Sequence, residues 1–365
     1  MNNFLVRLKN LDWVLNFSIF FIAGAGLISL LSADVGLFYK QLAWIFLGFI
    51  LIVFISQIDL RPFEKYPKAI FGFYVFTLLL LVLTYFIAPS VRGARAWISL
   101  PGLGGFKFQT SELTKLSLII LFSFFWAKAH IGIGHVKNLF KSFLYFIIPA
   151  TLVLLQPDLG TVLIFFSIWF SYLLISGIKW KHLLAAFFIF LIAASLMWTG
   201  FLKDYQKERI MGLFYPEHDP LGINYNVIQA KIAIGSAGFL GKGFGEGTQV
   251  KLGFLPEAQT DFIFAAFIEE WGIFGAFLLI VAFIIMLLRI IKAGLTSENN
   301  FSRFFCLGSV IMFLTQFVLN TGSNLGILPV VGVSFPFLSY GGSNLLTSVL
   351  TIGIIQGIIL RNKQF

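Results

Sequence analysis

Asp261 is the residue best placed for chemistry. It lies in Pro256-Glu257-Ala258-Gln259-Thr260-Asp261-Phe262, where a polar stretch gives way to an apolar one. Partial desolvation at such a boundary raises a carboxylate's pKa and suits it to take a proton from a hydroxyl. The alternative is an N-cap for a helix starting at Phe262. Glu269 and Glu270 are expected two turns deeper, where at least one needs a basic partner. A second group is Gln109-Thr110-Ser111-Glu112-Leu113-Thr114-Lys115. Ser111 reads as a helix N-cap, Glu112 as a first-turn carboxylate favoured by the dipole, and Lys115 as its neighbour one turn on. This pair enters an apolar segment. It is either a structural ion pair or the charged wall of an outward-facing cavity. Arg92 and Arg95 stand beside Trp97, as an interfacial anchor or as a guanidinium pair matched to phosphate oxygens. Asp158, in Gln156-Pro157-Asp158-Leu159-Gly160, either caps the helix beyond it or binds a ligand.

Between Gly235 and Gly247 glycines recur at near phosphate-loop spacing, but Gly243 follows Lys242 where that motif needs Ser or Thr. The glycines are read as close packing or sharp turns, with Lys231, Lys242 and Lys251 as point charges for an anionic group. The stretch from Asn320 to Asn344 is too apolar for open water and too broken by Pro and Gly for a helix. Backbone of this kind at membrane depth must be buried or line a cavity, so a re-entrant segment is expected.

The elements that position these residues are membrane spans. Charged residues are 12 % of the chain and hydrophobic residues 58 %, against about 25 % charged in soluble domains; mean hydropathy is +0.92. The solvent is therefore lipid, and the net charge of +10 is a question of sidedness rather than of nucleic acid, which is excluded as a partner. The single cysteine, Cys306, excludes a disulfide framework and a cysteine metal site. The first apolar run is read as a span and not a cleaved signal. Runs of suitable length predict an all-α polytopic membrane protein of ten spans, 13–32, 37–57, 69–88, 112–128, 142–157, 160–177, 183–200, 262–290, 303–322 and 342–360, with a long loop over 200–261. The turn at Gln156 to Gly160 separates the fifth span from the sixth. With ten spans, fifteen of the 26 Lys and Arg residues fall on the side that holds both termini, which the positive-inside rule makes cytoplasmic. Residues 1–365 then form one membrane domain, with the candidate residues on its outer face.

Several motifs in order carry a resemblance. Arg92-Gly-Ala…Trp97-Ile, Gln109-x-Ser111-Glu112-Leu-x-Lys115, Gln156-Pro-Asp158-Leu-Gly-Thr, Pro256-Glu-x-x-Thr260-Asp261-Phe-Ile-Phe and the Asn320 to Ser343 stretch with its Ser339-Tyr340-Gly341-Gly342 resemble the SEDS family (shape, elongation, division and sporulation). Leu11-Asp12-Trp13 leans towards its elongation branch. Thr110 and Asn344 depart from the family's usual residues. The resemblance implies a peptidoglycan glycosyltransferase of the bacterial cytoplasmic membrane. Such an enzyme joins lipid II to a nascent glycan strand and releases undecaprenyl pyrophosphate. Its essential aspartate would be Asp261, and its Glu and Lys pair Glu112 and Lys115. A β-1,4 bond made from an α-linked donor requires inversion, so one base suffices: Asp261 would deprotonate the acceptor 4-hydroxyl. Arg92, Arg95, Lys115 or a divalent cation, magnesium or manganese, would offset the charge growing on pyrophosphate. Asp158, Lys242 and Ser339 complete the candidate substrate-binding set. The implied partners are a class B penicillin-binding protein, which supplies the transpeptidase, other elongation-complex membrane proteins, and membrane lipid. The rival classes are a lipid II transporter, whose ionisable groups would sit near the midplane, and a scaffold that activates a penicillin-binding protein without turnover.

Overall fold

The computed structural model describes residues 8–58, 65–89, 95–99, 107–129, 136–175, 195–201, 204–215 and 224–362, with isolated positions at 177, 181, 184, 188, 192 and 222. In chain order the elements are α1 (Trp13–Ala33), α2 (Val35–Gln57), α3 (Pro67–Ile87), β1 (Trp97–Ser99), β2 (Lys107–Gln109), α4 (Thr110–Ala129), α5 (Val136–Leu155), α6 (Leu159–Ile175), α7 (Asp204–Phe214), α8 (Tyr225–Ser236), α9 (Thr248–Lys251), α10 (Ile263–Leu295), α11 (Asn300–Asn324) and α12 (Gly342–Asn362). Eight of the described helices are long and apolar enough to cross a membrane; α6, with 17 residues, is shorter. Helix is the form such segments take, because lipid offers the backbone no hydrogen bonds. The expected span 183–200 falls largely outside the described residues.

The structure adds detail to the expected all-α fold and corrects one capping residue. The chain is mostly helical but carries one antiparallel hairpin, β1 with β2, in which Trp97 pairs with Gln109 and Ser99 with Lys107. Among its described residues the long loop over 200–261 holds three helices, α7, α8 and α9. Within α8 the reason is an apolar face at helical spacing, of which Ala230 and Ala233 are fully buried. Ser111 is not an N-cap: it lies inside α4, and its hydroxyl has no hydrogen-bond partner. The turn at Pro157 does divide two helices, α5 and α6.

The helices differ in depth within the bundle. Within its best apolar window α12 is 89 % buried, whereas α2 is 17 % buried. Thus α12 is the central post and α2 lies at the periphery. They touch where Gly48 faces Val349 and Gly353 faces Ile55, each without room for a side chain. One end of the bundle is closed by Asp12. Its carboxylate accepts from Arg289 Nε at 2.7 Å, and its backbone N–H donates to Gln356 Oε1 at 2.9 Å. Asp34, at the turn between α1 and α2, marks the other end and caps α2 by accepting from Leu37 N at 3.0 Å.

Helix α10 is two helices in series. Gly272 has φ 69° and ψ −173°, a conformation open essentially to glycine alone. The glycine-rich segment fills the break. Ile273 N donates to Gly238 O at 3.1 Å, Phe274 N to Phe239 O at 3.0 Å and Lys242 N to Glu269 O at 2.9 Å. These bonds satisfy backbone groups that the broken helix would leave bare in lipid. A Cβ at Gly241 or Gly272 would collide with the opposing backbone, so close packing explains the glycines. The break also changes where the carboxylates stand. Ser32, near the Asp34 end, faces Glu270, while Arg289 meets Asp12 at the far end. The part of α10 beyond Gly272 therefore runs the length of α1. The part before it serves Asp261, and Glu269 and Glu270 lie towards the Asp34 end rather than two turns deeper.

Candidate active site

Asp261 sits in a turn, half-buried, immediately before α10. It does not cap that helix: the N-cap position is Phe262 and no side chain fills it. The capping work falls to a residue distant in sequence. Asn324 Oδ1 accepts from Ala265 N at 3.0 Å, which satisfies one first-turn N–H.

The turn is held by its carbonyls. Asn320 Nδ2 and Asn324 Nδ2 both donate to Asp261 O, at 2.9 and 2.8 Å. Ser339 Oγ donates to Thr260 O at 2.7 Å, and Tyr340 N to Gln259 O at 2.9 Å. Four hydrogen bonds thus fix three consecutive carbonyls, each worth about 1 kcal/mol net. Ser339 also accepts from Phe335 N at 2.8 Å, so both sides of its hydroxyl are spent on backbone. Ser339 places the Asp261 turn.

The turn is recessed. The Leu338 carbonyl packs on Gly26, leaving no room for a Cβ there, and Gln41 Nε2 donates to Ser339 O at 3.3 Å. Both positions lie roughly 10 Å along their helices from the Asp34 turn, at 1.5 Å per residue. The sequence reading put Asp261 at the rim; the structure puts its turn inside the bundle end.

A second polar group stands next to it. Lys115 Nζ donates to Glu112 Oε1 at 2.7 Å, with side chains 2 % and 7 % exposed. Asn344 Nδ2 donates to Glu112 Oε2 at 3.3 Å. Asp158 accepts from Thr161 N at 3.0 Å and from Thr161 Oγ1 at 2.7 Å, which is the capping arrangement. It also accepts from Gln109 Nε2 at 3.0 Å, tying α6 to β2. Burial pushes the Asp158 carboxyl up, while the Thr161 hydrogen bonds and the nearby Lys115 ammonium pull the other way. Ser343 Oγ accepts from Gln109 N at 3.0 Å and donates to Lys107 O at 3.0 Å, pinning the hairpin to α12.

One short stretch joins the two groups. A Cβ on Gly160 would lie 2.5 Å from Val331 O and 2.6 Å from Val333 Cγ2, so only glycine lets α6 start against that stretch. A Cβ on Gly332, between those valines, would lie 3.9 Å from Asp261 Oδ2. Residues 331–333 therefore run between the start of α6 and the Asp261 carboxylate.

The remaining candidates separate. Lys242 Nζ bonds Glu269 Oε1 at 2.6 Å, and Glu269, fully buried, also accepts from Thr248 Oγ1 and Gln249 N. This is the basic partner expected for one of the two glutamates, and it commits Lys242 to the fold. Arg95 is exposed. Arg92 lies outside the described residues. Among the described residues no three His, Cys, Asp or Glu side chains come together as ion ligands.

The roles of Asn320, Asn324, Ser343 and Asn344 do not follow from the local sequence. A usable signal existed for the first two. Gln316, Asn320 and Asn324 recur every four residues within an apolar helix and are all buried, a polar stripe that must face a partner.

The family model described as "Cell cycle protein", FTSW_RODA_SPOVE, matches residues 9–364. The peptidoglycan glycosyltransferase MrdB of Escherichia coli (strain K12) is 34 % identical over 331 residues, covering 91 % of this chain and 88 % of that protein. A chain from a peptidoglycan synthase complex that coordinates polymerization and crosslinking superposes with a TM-score of 0.80 at 32 % identity, covering 97 % of this chain and 99 % of the other. The rod shape determining protein RodA of Thermus thermophilus superposes with a TM-score of 0.70 at 28 % identity, covering 97 % and 98 %. With the family model spanning nearly its whole length, the chain belongs to the FtsW, RodA and SpoVE family, the SEDS proteins.

Proposed function

We propose that this chain is a peptidoglycan glycosyltransferase that polymerises glycan strands from lipid II in support of cell elongation and shape. The observation that carries the reading is the Asp261 turn, recessed in the bundle end and gripped through its carbonyls by Asn320, Asn324, Ser339 and Tyr340. The names of its relatives support the reaction class. In the reaction, Asp261 takes the proton from the acceptor 4-hydroxyl. The oxygen forms a bond to C1 of the donor sugar, the C1–O bond to pyrophosphate breaks, and undecaprenyl pyrophosphate leaves with that electron pair. One displacement inverts the anomeric centre, and a fixed base a hydrogen bond away from the hydroxyl is what it requires.

Residues 325–341 serve as the re-entrant wall of this site. The Asp34 end faces outward and both termini are cytoplasmic, in keeping with the distribution of Lys and Arg. The lipid donor enters between helices, since its tail needs apolar surface. The structural relative from a complex that joins polymerization to crosslinking supports a class B penicillin-binding protein as partner. Any divalent cation would arrive with the pyrophosphate.

Purified chain with its partner, supplied with lipid II in detergent without a membrane gradient, should produce glycan strands. The same assay with chelator measures any need for a cation. A transporter or a scaffold yields no product strands under these conditions, and that result would overturn the proposal.

A further inference from the structure

The end of the bundle opposite Asp261 carries a charge cluster that the reaction does not use. Helices α3, α4 and α5 meet there at Tyr145. Its ring centroid lies 5.7 Å from that of Phe71 and 5.8 Å from that of Phe125, and its carbonyl accepts from Tyr74 Oη at 2.9 Å. This is the Asp12 end, because α12 bonds Asp12 through Gln356 and donates from Arg361 Nη2 to Gln57 O at 3.0 Å, shortly before α3 starts. One turn nearer that end stand three lysines. Lys68 precedes Phe71 by three residues, Lys141 precedes Tyr145 by four, and Lys128 follows Phe125 by three. At those spacings each lysine shares the helix face of its aromatic neighbour. The three side chains therefore flank one groove, about 5 Å beyond the aromatic contact.

Nothing on the protein neutralises this groove among the described residues. Lys68, Lys128 and Lys141 are exposed, and none of them joins an ion pair there. The described residues at these helix ends, 65–68, 126–129 and 136–141, hold five lysines and no carboxylate. Lys128 Nζ is steadied over the Phe124 ring, 4.3 Å from its centroid. Helix α3 begins without a side-chain cap, so its first N–H groups add partial positive charge. Apolar surface continues from the lysines into the span: Phe140, Phe143, Leu144 and Ile148 of α5 are exposed.

We propose that Lys68, Lys128 and Lys141 bind the head of an anionic phospholipid that carries two phosphates, a diphosphatidylglycerol, in the leaflet at the Asp12 end. Basic residues that only set orientation need no common focus, whereas here three helices bring lysines to one groove. Two phosphates joined by a glycerol can engage several ammonium groups at once, and a basic pocket between spans suits such a head. The acyl chains then cover the exposed apolar face of α5, which an acidic protein segment would leave bare. The groove and Asp261 lie at opposite ends of the bundle, so this ligand is not the donor of the reaction, and the inference stands apart from the glycosyltransferase reading.

The test counts lipids bound to the delipidated full-length chain by native mass spectrometry. The probes are diphosphatidylglycerol, phosphatidylglycerol, phosphatidylcholine and glycerol 3-phosphate. The parent should bind diphosphatidylglycerol most tightly. Each single change, Lys68→Gln, Lys128→Gln or Lys141→Gln, should weaken it about fivefold, the scale of one basic residue at an anionic surface. The pair Lys68→Gln with Lys141→Gln should weaken it about twentyfold on the same scale. Arginine at all three positions should hold affinity within about twofold, since the charge is kept. Lys9→Gln with Lys292→Gln removes equal charge at the same end from other elements, and should leave affinity nearly unchanged. Equal losses in the two pairs overturn the site in favour of diffuse surface charge. Glycerol 3-phosphate bound as tightly as the lipid overturns it in favour of a free phosphate ester, and a glutamate peptide that displaces the lipid and loses affinity in the same variants overturns it in favour of an acidic protein. Thermal unfolding in phosphatidylcholine alone should match the parent, because the three side chains are exposed. Should the pair variant lose stability there, the single variants carry the comparison, and unchanged lipid affinity in all three of them overturns the proposal.

Discussion

Asp261→Asn should lower lipid II polymerisation by about 10²- to 10⁴-fold, the usual contribution of a general base, without unfolding the chain. The four bonds that hold the turn end on the carbonyls of Gln259, Thr260 and Asp261, which the substitution leaves in place. Asparagine fills nearly the same volume and cannot accept the hydroxyl proton. Thermal unfolding of the variant should therefore match the parent while product strands disappear. A variant that polymerises at the parental rate would move the base to another residue.

The second large effect concerns stability. Lys115→Met should destabilise the chain by about 3–5 kcal/mol, because it strands the buried Glu112 carboxylate without its cation. Asn344 at 3.3 Å is a poor replacement for an ion pair at 2.7 Å. Removing both charges, in Lys115→Met with Glu112→Gln, should recover much of that loss, since a buried pair replaced as a unit is often nearly neutral. Unfolding of the two single variants and the double variant in lipid measures the coupling. Equal stability of the single and double variants would mean that water already reaches Glu112. Activity of the recovered double variant then separates roles: strands formed at the parental rate assign the pair to structure, and lost polymerisation with restored stability assigns it to the site.

Much of this architecture is legible in the sequence. Spans are dictated by lipid, which demands apolar runs of a set length, and the boundaries of α1, α2, α3 and α12 follow from that alone. Asp261 stood out because a carboxylate at the start of an apolar run is costly unless used. What stayed hidden depends on partners far along the chain. The partner of Glu269 is Lys242, 27 residues earlier, and the residues that hold the Asp261 turn lie 59 to 79 residues later. No local propensity encodes such pairings. The break at Gly272 was invisible for another reason. A lone glycine inside an apolar run costs only about 1 kcal/mol in a helix, so the continuous α-helix was the simpler expectation. Only the docked Gly238–Gly243 backbone shows that the ladder is interrupted there. Ser111 is not a cap because the hairpin end, fixed by Ser343, carries the chain into α4 two residues earlier than capping chemistry suggests.

The interruption at Gly272 should make the site less sensitive to the thickness of the membrane. When a bilayer thickens or thins, spanning helices adjust by changing tilt. In α10 that adjustment is confined to the stretch from Ile273 to Leu295, which is held to α1 at Asp12. The stretch from Ile263 to Trp271 is anchored by Asn324 and by Lys242 and Gly243, and only the short contact of Gly238 and Phe239 with Ile273 and Phe274 links the segment to the other side of the break. A tilting span can thus pivot at Gly272 without swinging Asp261. Polymerisation measured in bilayers of graded acyl-chain length should stay nearly level, whereas an unbroken helix through position 272 would transmit each change in tilt to the carboxylate.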